Sequence, residues 1–296
     1  MDIVFGLLSA LNFGSADFIA RFSTRTLGVN RTLLYMQSFG LFVLTLYLLL
    51  TGDLVHYTTQ ASWQIWFWGI VCSITYTLSY LCLYRAFALG QLAIVAPIAS
   101  SYAAISVLLS VISGERLVPL QWLGIVAVLV GVVLAALQRS ETPQEADQSR
   151  PATMSGRHLP AGVFWALLAA VGLGVTFWLL GFAVTPGMGV IVPVWLFRLV
   201  AVCVIAPMMW FRCESLAPPR GTAVGLVIGI GILDMGGIIF STFGFAVGSI
   251  AIVSVLSSLY SAVSILLAWL FLHERLQKIQ WSGIALLLTG IALTNL

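Results

Sequence analysis

Apolar residues in this chain come in long unbroken runs rather than in alternation with polar ones. Ten runs of roughly 20 residues can be marked, the length a helix needs to cross a hydrocarbon core of about 30 Å. They are Ile3–Ala20, Leu33–Thr51, Trp63–Leu83, Leu92–Ser113, Leu120–Leu137, Ala161–Val184, Val190–Phe211, Ala223–Val247, Ile250–Leu272 and Ile279–Leu293. Stretches such as "LLLTGIAL" and "IVAVLVGVVLAAL" have no period of two, which argues against a transmembrane barrel, whose strands alternate over about ten residues. The first run lacks a positively charged leader and a small-residue cleavage site, so it is predicted to be a membrane helix rather than a secretory signal. The predicted fold class is all-α integral membrane, with ten transmembrane helices.

Composition agrees with lipid as the solvent: 60% of the 296 residues are hydrophobic and 8% are charged, against roughly 25% charged in soluble domains. The net charge of +3 matters less than where the cations sit. Arg21, Arg25, Arg31, Arg85, Arg139, Arg150, Arg157, Arg212, Arg220, Arg275 and Lys278 all flank odd-numbered loops, whereas the even-numbered loops hold only Arg116. By the positive-inside rule the odd loops are cytoplasmic and both termini lie outside. A multi-pass protein of the plasma membrane, of the bacterial inner-membrane kind, is expected.

A charged phrase is written twice, as "GERLVPLQWLG" from Gly114 and "HERLQKIQWSG" from His273. Glu115, Arg116, Gln121, Trp122, Gly124 and Gly131 each recur 159 residues later, as Glu274, Arg275, Gln280, Trp281, Gly283 and Gly290. One residue off that register, Ala88, Gly90, Ala93 and Tyr102 match Ala246, Gly248, Ala251 and Tyr260. Residues 1–137 and 161–296 therefore read as two five-helix repeats, joined by a polar cytoplasmic linker over 138–160. Five is odd, so the second copy enters the membrane from the opposite side, and the repeats are inverted. In transporters that arrangement places the substrate near the midplane between the copies. The glycine pairs at seven-residue spacing form one helix stripe, suited to close helix contact in lipid.

These features resemble the EamA-type members of the drug/metabolite transporter superfamily. The likeness rests on the A-L-G-like turn after each third helix, the serine-rich helices "IVAPIASSYAAISVLLS" and "IVSVLSSLYSAVSILLAWLF", the glutamate at each fourth turn and the W-x-G-I-x-x-x-x-x-G fifth helices. It implies a ten-helix basket whose first, third, fourth, sixth, eighth and ninth helices line a central cavity. Pro97 in the fourth helix is Val255 in the second copy, so the two halves need not bend alike.

Charge inside a span is expensive and points to function by default. Asp234 and Arg198 lie well inside the eighth and seventh spans. They read either as an ion pair holding helices together or as a cargo site, with Arg198 meeting an anionic group and Asp234 an amine or a proton. Asp17 and Arg21 sit at the i, i+4 spacing of a local interfacial pair, while Asn12 either bonds a neighbouring helix or faces the cavity. Tyr102 and Tyr260, related by the repeat, are expected on the cavity wall, and Ser101 and Ser257 are further candidates there. Tyr76, Tyr80 and Tyr84 recur every four residues, as a packing stripe or as a surface for a flat cargo. Glu115, Arg116, Glu274 and Arg275 mark turns and carry a possible gating role.

Cys72, Cys82, Cys203 and Cys213 lack paired CxxC spacing, and His56, His158 and His273 sit in separate loops, so neither a disulfide framework nor a metal site is expected. No phosphate-cradling glycine loop or G-x-S-x-G elbow is written. Neither a cofactor, nor an enzyme, nor a nucleic-acid partner is predicted. The expected partners are a small-molecule substrate and the bilayer, with a proton as candidate coupling ion, in a monomer or homodimer. The reading is a secondary transporter exporting small metabolites such as amino acids. The alternatives are drug/cation efflux, a sugar-type transporter of the same fold, and a passive lipid scramblase.

Overall fold

The computed structural model describes residues 1–52, 62–89, 92–136 and 161–272, with scattered positions between 282 and 293. Regular structure among the described residues is helical, without strands, and six helices are long and apolar enough to cross a membrane. The first three spans are α1 (Asp2–Leu27), α2 (Val29–Thr51) and α3 (Trp63–Leu89). The fourth is divided into α4 (Leu92–Ser100) and α5 (Tyr102–Ile112), and the fifth is α6 (Pro119–Ala136). The second half opens with α7 (Ala161–Leu179), which passes through a π turn at Leu180–Val184 into the short α8 (Thr185–Met188). There follow α9 (Ile191–Phe211), α10 (Thr222–Val247) and a second divided span, α11 (Ile250–Ser257) and α12 (Tyr260–Leu272). The 138–160 linker, Glu274, Arg275 and most of the tenth predicted span lie outside the described residues.

Both copies break at the same place, one residue or two before the repeat-related tyrosine, although only the first carries a proline upstream. A serine hydroxyl stands at each break. Ser101 Oγ donates to the Ile98 carbonyl at 2.6 Å, and Ser258 Oγ donates to the Val255 carbonyl at 2.6 Å. Each diverts an i−3 carbonyl from the regular ladder, and the backbone there tightens to i−3 bonds, Ser101 N to Ile98 O at 3.3 Å and Leu259 N to Leu256 O at 3.1 Å. Discontinuous helices at midplane are tolerated in a membrane where they line a cavity.

The inverted relation of the halves shows in a contact made twice. A Cβ built on Gly14 of α1 would lie 2.6 Å from Val263 Cβ and 2.7 Å from the Tyr260 carbonyl oxygen. One built on Gly174 of α7 would lie 2.6 Å from Ile105 Cβ and 2.8 Å from the Tyr102 carbonyl oxygen. Val263 and Tyr260 are Ile105 and Tyr102 moved on by 158 residues, so α1 meets α12 as α7 meets α5. Likewise α1 packs along α10 and α7 along α3. The glycine stripe also serves close approach, since a Cβ on Gly290 would lie 2.9 Å from the Gly124 carbonyl oxygen. Large apolar side chains, among them Phe42, Leu50, Trp63 and Phe211, are exposed on the outside, as a lipid-facing surface requires.

Polar contacts tie the bundle at its ends. Glu115 accepts from the Ser249 hydroxyl and, at 3.4 Å, from Ala251 N, while Asp2 accepts from Ser249 N at 3.3 Å. Two carboxylates thus meet the N-terminus of α11, where the helix dipole favours negative charge. Elsewhere the first turn of α2 meets the loop after the seventh span, with Asn30 donating to both carboxylate oxygens of Glu214 at 2.8 and 2.9 Å.

Gly14→Ala and Gly174→Ala should each lower the thermal stability of the detergent-solubilised protein, by about 1–3 kcal/mol for overpacking. Gly225→Ala, with nothing within 4 Å of the new methyl group, should not. Melting curves of the three variants check this.

Candidate functional site

Between the two copies lies a narrow cavity. α1 contributes Phe13 and Asp17 to its wall, and α3 contributes Tyr80 and Leu83. Opposite stand Tyr102 of α5, Leu173 and Phe177 of α7, and Tyr260 of α12. The repeat-related Tyr102 and Tyr260 rings stack at 6.3 Å between centroids, and Phe177 lies 4.8 Å from Tyr102. Neither tyrosine hydroxyl has a hydrogen-bond partner among the described residues. Both residues begin their helices immediately after the breaks, so the divided spans are what carry them to the wall.

Behind Tyr80 sits a sealed polar cluster. Arg198 Nη1 lies 2.6 Å from Asp234 Oδ2, with Arg198 1% and Asp234 2% exposed. The Gln37 side-chain oxygen accepts from the same nitrogen, Tyr80 donates to Asp234 Oδ1 at 2.7 Å, and Tyr76 donates to Asp234 Oδ2 at 3.4 Å. At the 158-residue spacing, Asp234 stands where the first copy has Tyr76, and Arg198 stands where it has Gly40. These mates meet: a Cβ on Gly40 would sit 3.2 Å from Arg198 Nε. The missing side chain at Gly40 is therefore the room that Arg198 occupies.

Of the expected cavity residues, Tyr80, Tyr102 and Tyr260 reach the wall. Arg198, Asp234 and Tyr76 come together as an ion pair and its partner behind the wall. Tyr76 stacks on Phe197 at 4.6 Å and meets the Tyr80 ring at a tilt, 4.3 Å between centroids, so the tyrosine stripe is largely packing, with Tyr80 alone of the three among the described lining residues. Ser257 is fully buried in a hydroxyl chain, Ser9 to Ser241 at 2.7 Å and Ser241 to Ser257 at 3.3 Å, which joins α1, α10 and α11. Ser101 is exposed at the helix break, and Asn12 donates to the Leu8 carbonyl at 2.8 Å. Arg116 is exposed beside Glu115, and Arg21 is half-buried.

Asp17 differs from expectation. α1 does not end at Ala20 but continues to Leu27, which moves Asp17 from the helix terminus into the spanning segment and onto the cavity wall. Its position one helical turn from Phe13, on the same face, was the available signal. Gln37 and Phe177 were missed, and nothing local in the sequence separates them from other polar and aromatic residues of the spans.

The EamA-like transporter family model matches residues 1–137 and again residues 160–296. The chain belongs to the EamA-like transporter family. This EamA-like chain is an integral, multi-pass membrane protein, and its family is one of transporters with a two-repeat membrane fold. No curated protein matches it. A crystal structure at 20% identity aligns over 99% of this chain and 95% of its own, with a TM-score of 0.74, a likeness of fold alone.

Removing one member of the buried pair, by Arg198→Met or Asp234→Leu, should destabilise this EamA-like protein by about 3–5 kcal/mol. The double variant should recover most of that, because no lone charge is left in the core. Unfolding of all three in the same detergent measures the coupling.

Proposed function

We propose that the protein is a secondary transporter that exports small metabolites such as amino acids, exposing the central cavity alternately to the two sides of the membrane. The observation that carries this reading is the pair of helix breaks at Ser101 and Ser258, which bring Tyr102 and Tyr260 of opposite repeats to one cavity. Such discontinuous helices at a repeat interface suit a substrate site about which one bundle rocks against the other. The contacts of Glu115 with Ser249 and Ala251 join the first copy to the second. Being few and polar, they suit a closure that forms and breaks in each cycle. In this reading the Arg-rich loops face the cytoplasm and the N-terminus lies outside, in a bacterial inner membrane.

Asp234 is the candidate proton carrier. Protonation would release Arg198 from its ion pair, and the Tyr80 hydroxyl links Asp234 to the cavity wall. A second reading, efflux of cationic compounds, is favoured by the carboxylate of Asp17 among aromatic side chains.

Counterflow in proteoliposomes against amino acids, sugars and cationic drugs tests the proposal, with exchange of at least one soluble solute expected. Lipid movement between leaflets with no solute exchange would refute it. Proton-gradient dependence should vanish in Asp234→Asn, and unchanged dependence would rule out coupling through that residue. In a background free of native cysteines, bridging Glu115→Cys to Ser249→Cys with a short bifunctional thiol reagent should abolish exchange.

A further inference from the structure

Asp17 carries the one carboxyl group among the described residues that line the central cavity. The mid-membrane ion pair stands behind that wall: Arg198 Nη1 meets Asp234 and Gln37, and Tyr80 donates to Asp234, while neither Arg198 nor Asp234 lines the cavity. Around the carboxylate stand Phe13 and Phe177, whose ring faces attract cations, and Tyr102 and Tyr260. Those two tyrosines are 2% and 4% exposed, and their hydroxyls lack partners among the described residues. Leaving a buried hydroxyl unsatisfied costs about 1–3 kcal/mol, so each is poised for a partner that the protein does not supply. One carboxylate and two phenol oxygens are three acceptors on one wall, the number of N–H donors on a primary ammonium group. No basic side chain among the described lining residues could meet a carboxylate.

We infer that the central cavity is a recognition site for a protonated primary amine, with Asp17 as the charge partner, the Tyr102 and Tyr260 hydroxyls as further acceptors, and Phe13 and Phe177 against the cargo's apolar body. The inference rests on the reading of this cavity as the cargo site, and it replaces amino acids as the cargo with small amines that lack a free carboxylate. A free carboxylate on the ligand is disfavoured, because it would face Asp17 without a counter-charge. Hydroxyl recognition also separates a primary from a quaternary amine. Trimethylation keeps the charge and the attraction to the rings but removes every N–H.

The test is equilibrium binding to the purified full chain in detergent, with four ligands of one skeleton: phenethylamine, N,N,N-trimethylphenethylammonium, 2-phenylethanol and 3-phenylpropionate. Phenethylamine should bind at least about tenfold more tightly than the alcohol, the size expected for hydrogen bonds to a charged group, with the trimethyl compound between them and the carboxylate weakest. Asp17→Asn should abolish the preference for phenethylamine over the alcohol. Tyr102→Phe combined with Tyr260→Phe should narrow the gap between the primary and trimethyl compounds to what Asp17 alone provides, and an unchanged gap would overturn the hydroxyls' part. Equal binding of amine and alcohol to the wild type, or tighter binding of the carboxylate, overturns the site even where the variants do not fold. A preference that survives Asp17→Asn overturns it as well. Counterflow of the same compounds keeps the two readings apart. An amine preference without exchange supports the site and counts against transport, and exchange of other solutes without that preference does the reverse.

Discussion

Within a bilayer core no water is at hand, so every backbone N–H and C=O has to be satisfied by the chain itself. That constraint forces the ten apolar runs toward helices and limits where a helix can stop being regular. Among the described residues, the two breaks and the π turn each bring a substitute bond. Ser101 and Ser258 turn their hydroxyls onto the carbonyls freed at the two breaks, and Thr185 donates to the Leu180 carbonyl at 2.7 Å across the π turn. The π turn itself precedes Pro186, whose ring cannot continue a regular ladder. The same rule governs polar side chains, as in the Ser106–Ser254 contact at 2.9 Å between α5 and α11. Small hydroxyl residues are therefore the joints of the molecule, and they concentrate where the two copies face each other.

Most of the fold was written in the sequence because lipid makes a coarse demand that composition alone can meet. Spans are long and apolar, and the Glu-Arg phrase, repeated at fixed spacing, gave away the duplication. The breaks were less legible, since serine is common inside membrane helices and only the tertiary setting decides whether its hydroxyl diverts a carbonyl. Proline misled in the other direction: Pro97 suggested unequal halves, yet the copies divide alike. At the site, Tyr80, Tyr102 and Tyr260 could be named from repeat position and helical spacing. Asp17 was misplaced by a span boundary seven residues too short, enough to turn an interfacial charge into a lining one. Gln37 needs the fold, because its partner Arg198 is 161 residues away.

Duplication supplied the architecture, and divergence supplied the charge. At the 158-residue spacing, where the first copy carries Tyr76 and Gly40, the second carries Asp234 and Arg198, and the four positions meet one another. A neutral pair in one copy has become the host for an ionic pair in the other. The void at Gly40 and the hydroxyl of Tyr76 are shaped to residues that their own repeat lacks. The halves have consequently lost the ability to substitute for one another. Two first halves would bring two glycines and no ion pair to that contact, and two second halves would force a pair of guanidinium groups into space that only a glycine leaves free. What began as an interchangeable module now exists only as an obligate heterodimer fused in one chain, so its two parts are bound to evolve together.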